Sequence, residues 1–314
     1  MSTTRRSALI GLGGGAVALA GCARGSAGSA PNVVAAGQPA ALLIWAVARD
    51  RLAGWPRRPS ASALAALPAL AARLPELGAP GGGGRAPDLD AIAALKPRLM
   101  IDYGDTDNED RALGDRMRNR LEVDWRLIDG ALTLIPEAIR EAGGLLEADL
   151  TARPLADEAA GLLERWRRAP AGPTFYYARG ADGLETGFRG ALATEVLEGA
   201  GWTNVAEGSR DIGRVSPEQV AAWDPEALVT LDPAFVATAR HNPIWRRRRN
   251  GQRRRLLLLP DSPFGWIDRP PSVNRLLGCA WLGDPGDSRM ALASLTRRLY
   301  GMAPVEVALP RWIL

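Results

Sequence analysis

Three groupings of arginine and aromatic residues in this 314-residue chain have the make-up of a binding wall: Tyr103, then Tyr177 with Arg179, then Phe264, Trp266 and Arg269. Guanidinium forks suit the negative oxygens of an anionic or chelated ligand, and aromatic faces suit its organic part. For Phe264 and Trp266 the competing assignment is core packing. For Arg269, set on a stiff turn before Pro270 and Pro271, the alternative is a surface ion pair. The acids Asp102, Asp105, Asp107, Glu109 and Asp110 crowd one stretch, but the run lacks the Gly and distal Glu of a calcium loop. It is expected to be the solvated start of a helix, where carboxylates are favoured.

Other chemistries are excluded by scarcity. Lys96 is the only lysine, so no Walker A loop can form and Schiff-base chemistry is confined to one position. His241 is the only histidine, which argues against a catalytic triad and against His-rich metal clusters. No Gly-x-Ser-x-Gly elbow or defined acid/base set is present, so no catalytic residue and no cofactor is assigned. A secreted α/β enzyme is kept as the alternative from another class.

Lys and Arg total 39 against 35 Asp and Glu; without Arg5 and Arg6 the balance is 37 against 35. A chain so near neutrality is not expected to bind nucleic acid, whose affinity rests on many uncompensated phosphate contacts. Arg5 and Arg6 open a leader, residues 1–22, with an apolar stretch too short to span a bilayer, for which about 20 residues are needed. It ends Leu19-Ala20-Gly21-Cys22, similar to a bacterial lipobox in which Cys22 becomes the lipidated first residue. The paired arginines fit either twin-arginine or general secretory export. Residues 23–30 then form a flexible tether. The body is therefore expected outside the cytoplasm, at a membrane surface to which its N-terminal lipid holds it. With His241 alone and Cys22 committed to lipid, no nitrogen and sulfur set for a free transition-metal ion can be assembled; metal should arrive in a chelator or as an oxyanion.

The elements that must position these residues are strands alternating with helices. Strands are predicted at 32–36, 98–103, 123–128, 174–178, 227–231 and 255–259, and helices at 40–48, 90–95, 190–199, 217–223 and 288–300. Between the halves, 151–170 reads as one long helix with Pro154 in its first turn. Such alternation implies parallel sheets covered on both faces. The expected organisation is an N-terminal α/β lobe at 31–150, a lobe-spanning helix at 151–170, and a C-terminal α/β lobe at 171–314. The chain is expected to pass between the lobes once. Ligands of such folds sit outside the carboxyl ends of strands, and residues 37–39, 103–105, 177–180 and 261–269 all follow strands. The seven arginines within residues 246–255 read as a solvated loop that could touch anionic headgroups, and Cys279 as a buried small hydrophobe.

Taken in order, Val33-Val34-Ala35-Ala36-Gly37, Asp88-Leu89-Asp90-Ala91-Ile92, Val215-Ser216-Pro217-Glu218-Gln219-Val220 and Trp223-Asp224-Pro225 resemble the periplasmic binding proteins of ABC importers for ferric siderophores, haem and cobalamin. Residues 264–276 and 183–187 are similar to a subgroup that includes molybdate and tungstate binders. The resemblance implies two Rossmann-like lobes with parallel sheets joined by one long α-helix, and a metal chelate or oxyanion held between them. It implies delivery to an ABC permease with its ATPase, a monomeric protein, and a small closing rotation. It places permease-docking carboxylates at Asp90 and Glu218, with Asp88 as an alternative to Asp90.

Overall fold

The structure, a computed structural model, describes residues 32–81, 85–283, 288–302 and 309–313. The leader, Cys22 and the tether lie outside these residues.

The first lobe is built on a parallel sheet ordered β1 (Val33–Ala35), β2 (Leu99–Gly104) and β3 (Asp124–Asp129). Val33 pairs with Leu99, and Met100 with Trp125. β1 and the Leu99-Met100-Ile101 run of β2 are buried on both faces, as expected of strands sandwiched between helices. Edge strand β3 instead exposes Asp124 and Arg126. Helix Gln38–Ala48 follows β1 through Gly37, has Pro39 in its first turn, and buries every residue from Ala40 onward.

The second lobe carries the sheet β10-β9-β8-β4-β6, from β4 (Thr174–Tyr177), β6 (Thr203–Asn204), β8 (Ala227–Thr230), β9 (Arg255–Leu258) and the antiparallel edge β10 (Arg311–Trp312). A separate antiparallel pair joins β5 (Glu185–Gly187) to β7 (Ile212–Arg214). From β4 the chain first adds β6 on one side, then crosses to add β8 and β9 on the other. The winding reverses beside β4, and the crevice this opens lies outside the carboxyl ends of β4 and β8.

The lobe-spanning helix runs Asp149–Trp166, so Pro154 lies inside it rather than in its first turn. The missing N–H leaves only the carbonyl of Leu150 without its partner, and Leu150 is exposed at the helix start, where water replaces the bond. At the far end the Trp166 indole donates to the Val196 carbonyl at 2.9 Å, and the ring leaves room for no side chain at Gly199. A single passage between lobes does not describe the packing. Helix Ser288–Tyr300 returns against Gln38–Ala48, where the Trp45 indole donates to the Tyr300 carbonyl at 3.1 Å. One apolar core runs through both lobes, from Val33 and Trp45 through Leu162 to Val229 and Leu277.

Backbone and side-chain hydrogen bonds add to that core. Ser272 donates its hydroxyl to the Pro39 carbonyl at 2.7 Å, and the Leu132 N–H donates to Glu195 at 2.9 Å. Arg275 is completely buried, pairs with Glu195 at 2.7 Å, and donates across the boundary to the Gly130 carbonyl. Lobes fastened this way rotate little. Small-angle scattering of the protein with and without a bound solute should give superimposable curves; a marked fall in radius of gyration on binding would contradict this.

Candidate functional site

A cleft of about 620 Å³ lies between the lobes. The first lobe contributes Gln38 and Pro39 beyond β1, Arg57, and Asp102 to Asp105 at the end of β2. The second contributes Arg179 and Gly180 beyond β4, Glu185, and the turn from Asp268 to Pro271. Each wall is thus made of the turns that leave parallel strands, the place the sequence order pointed to. Arg269 enters from a left-handed backbone conformation, φ 64°, and its guanidinium, 3.6 Å from Asp232, keeps donors free for the cleft. Non-glycine residues held in this region cluster at ligand sites.

No family model matches the sequence, and no curated protein is significantly similar to it. Solved structures are similar in fold. An ABC transporter solute-binding protein from Sulfurospirillum deleyianum superimposes with TM-score 0.76 and 25% identity, covering 89% of this chain and 91% of that one. In fold the chain is similar to the two-lobe solute-binding proteins of ABC importers. The molybdate-binding MolA of Haemophilus influenzae, solved with molybdate, shares its fold at TM-score 0.66 and 16% identity over 89% of this chain and 95% of that one. A periplasmic haem-binding protein from Pseudomonas aeruginosa does so at TM-score 0.56 and 20% identity, over 90% and 97%.

Within this fold the six expected wall residues divide. Arg179, Arg269 and Tyr103 line the cleft. Tyr177 does not: it is fully buried behind the wall and donates its hydroxyl to Asp268 at 2.9 Å. Asp268 also pairs with Arg179 at 2.9 Å, and Arg179 with Glu185 at 3.0 Å, so Tyr177 positions the Arg179 side chain instead of touching solute. Trp266, only 1% exposed, belongs to the core. Phe264 packs against Trp55 and Tyr300 and borders a smaller side pocket. The core assignment holds for both rings. Alternating strand residues face opposite ways, but the Asp261 to Arg269 segment is a turn with no such period, so the sequence could not say which ring faced in.

The acidic stretch both starts a helix and borders the cleft. Asp107 caps helix Asn108–Leu121 by accepting from the Glu109 and Asp110 N–H groups at 2.8 and 3.0 Å. Asp102, Asp105 and Asp110 also line the cleft; Asp105 lies in the 103–105 segment that the sequence marks, and Asp102, inside β2, and Asp110, in the helix after it, lie on either side of that segment. Burial, reinforced by Asp107, Asp102 and Asp105, pushes the Asp110 carboxyl up to about 6. The folded state therefore keeps a proton that the unfolded chain releases near about pH 4. Its contribution to stability is present below that pH and is lost as pH rises to 6. Asp110→Asn should flatten the stability profile between pH 4 and 6, read by denaturant unfolding at stepped pH; an unchanged slope would assign it elsewhere.

The arginine run is also more than a solvated loop. Arg254, 2% exposed, pairs with Asp224 at 2.8 Å, and Arg248 with Glu226 at 3.3 Å, pinning the turn ahead of β9 to the one ahead of β8. Cys279 is buried in the core, with its thiol pushed up by burial. His241 ends the exposed tip of helix Pro233–His241. Among the described residues no group of three potential metal ligands is assembled, and no helix is long and apolar enough to cross a membrane.

Proposed function

We propose that this protein captures a hydrophilic metal chelate in the interlobe cleft and hands it to the permease of an ABC importer. It does so outside the cytoplasm, as a monomer tethered through lipid on Cys22. The observation that carries this reading is the cleft itself, formed jointly by strand-end turns of both lobes with the Arg269 guanidinium on its wall. Of the expected chelates, a ferric siderophore or corrinoid suits the wall better than haem. Five carboxylates and three guanidiniums line it, Tyr103 is its one aromatic lining residue, and a flat macrocycle would desolvate those charges without pairing them. Arg57, whose guanidinium has no partner among the described residues, faces the same cleft as Arg269 and favours a second reading: a molybdate or tungstate oxyanion.

A thermal-shift screen against ferric siderophores, haem, corrinoids, molybdate and tungstate separates these. The true class, at 100 times its Kd, should add about 2.7 kcal/mol. At roughly 2–4 °C per kcal/mol for a chain this large, that is a shift of several degrees. Arg269→Ala should cost at least tenfold in affinity for that solute. Failure of every solute to stabilise the protein would overturn the reading.

A further inference from the structure

The cleft does not end at its main chamber. Two further cavities open from it and share no lining residue with each other. One, about 330 Å³, shares Gln38, Arg57, Arg269 and Pro270 with the main cleft, adds Arg58, and contains one acid, Asp261. The other, about 520 Å³, shares Asp105 and Leu192 and carries Asp105, Asp107, Asp129 and Asp211 against Arg210, with Glu195 already paired to the buried Arg275. The groove is positive at one end and negative at the other.

We propose that the solute is dipolar: its anionic groups enter the arginine arm and its cationic or hydrogen-bond-donating groups enter the acidic arm. This rests on the solute-binding reading and narrows it. Both lobes line each arm with like charges: Arg57 and Arg58, the latter also donating to the Ala72 and Leu74 carbonyls, with Arg269 in one, and Asp105 and Asp129 with Asp211 in the other. These charges repel across the gap until a complementary group lies between them. The acids are crowded enough that Asp105 is raised by burial and then by Asp211, Asp107 and Asp129. An independent observation points to an occupant on the acidic side. Tyr103 lines the main cleft and is 2% exposed; its hydroxyl lies beside the buried Arg275 guanidinium, then the charges of Glu195 and Asp129, and completes no hydrogen bond of good geometry with any of them. A buried hydroxyl left unpaired is costly, and a polar group of the solute would satisfy it.

Substitution-inert cobalt(III) complexes test the polarity without metal exchange. Facial tris(glycinato)cobalt(III) is neutral, with amines on one face and carboxylates on the other; its meridional isomer has the same formula and mixed faces. Hexaamminecobalt(III) and molybdate serve as pure cation and pure anion. In calorimetric titrations of the purified protein, the facial isomer should bind at least tenfold more tightly than the meridional one. Arg57→Glu with Arg58→Glu should weaken molybdate and the facial isomer and strengthen hexaamminecobalt. Asp105→Asn with Asp211→Asn should weaken hexaamminecobalt and the facial isomer and strengthen molybdate. Equal binding of the two isomers, or no response to the variants, overturns the polarity. So does failure of all four probes, and if a solute from the thermal screen still stabilises the protein, only the polarity falls and the binding reading stands.

Discussion

Arg275→Ala should lower the unfolding free energy by about 3–5 kcal/mol, the scale on which breaking one half of a buried ion pair is felt. The guanidinium is wholly buried and makes the contacts of a keystone: Glu195 at 2.7 Å, the Ser272 carbonyl at 3.1 Å, and the Gly130 carbonyl of the other lobe. Alanine would leave those carbonyls and one carboxylate without their partner. Because the Glu195 side chain reaches water in part, its charge can rehydrate, so the loss should fall nearer 3 than 5 kcal/mol by the same reasoning. Denaturant unfolding should show a lowered midpoint with an unchanged slope. Adding Glu195→Met to Arg275→Met should recover part of the loss by removing the orphaned charge, though not all of it, since the Leu132 N–H also depends on Glu195. A loss below about 1 kcal/mol, the scale of an exposed pair, would mean that the lobes are not fastened here.

Asp90→Arg combined with Glu218→Arg should abolish solute uptake by cells, at least tenfold, while leaving solute affinity within about twofold, since charges that guide an encounter contribute to association more than to the bound site. This follows from the proposed docking of one carboxylate on each lobe to a basic permease surface. Both side chains are exposed in the first turn of a short helix, Leu89–Ala94 or Pro217–Trp223, and neither lines the cleft. Asp88 is the less suitable partner: its carboxylate caps its helix by accepting from the Ala91 N–H at 3.0 Å. Glu218 sits behind a capping box made by Ser216 and Gln219, and helix-start N–H groups, then the Ser216 hydroxyl, hold its carboxyl below the usual range. It therefore stays charged across physiological pH. Intact uptake in the double variant, at normal protein abundance, would show that these acids only stabilise their helix starts.

The sequence by itself determined the layered architecture and where a site must be. Buried parallel strands read as uninterrupted apolar runs, as in Val33-Val34-Ala35 and Leu256-Leu257-Leu258, and a helix start announces itself through Ser216-Pro217, because these patterns depend on residues close in the chain. Strand-end turns could be marked on the same ground. What the sequence left undecided was every choice between the two sides of a turn. Tyr177 and Trp266 sit in the right segments and face the wrong way, and Asp102 and Asp110, unlike Asp105 in the marked 103–105 turn, were legible as a helix start but not as a cleft wall. Only the tertiary structure brought Arg275 to Gly130, 145 residues away, and Ser272 to Pro39, 233 away. Such pairings have no local signature: a buried guanidinium and a solvated one are the same letter until the lobes close around it. The separation of charge along the cleft was decided at that level too, since Arg57 and Arg269 lie far apart in the chain and line one cavity only because loops of the two lobes meet there.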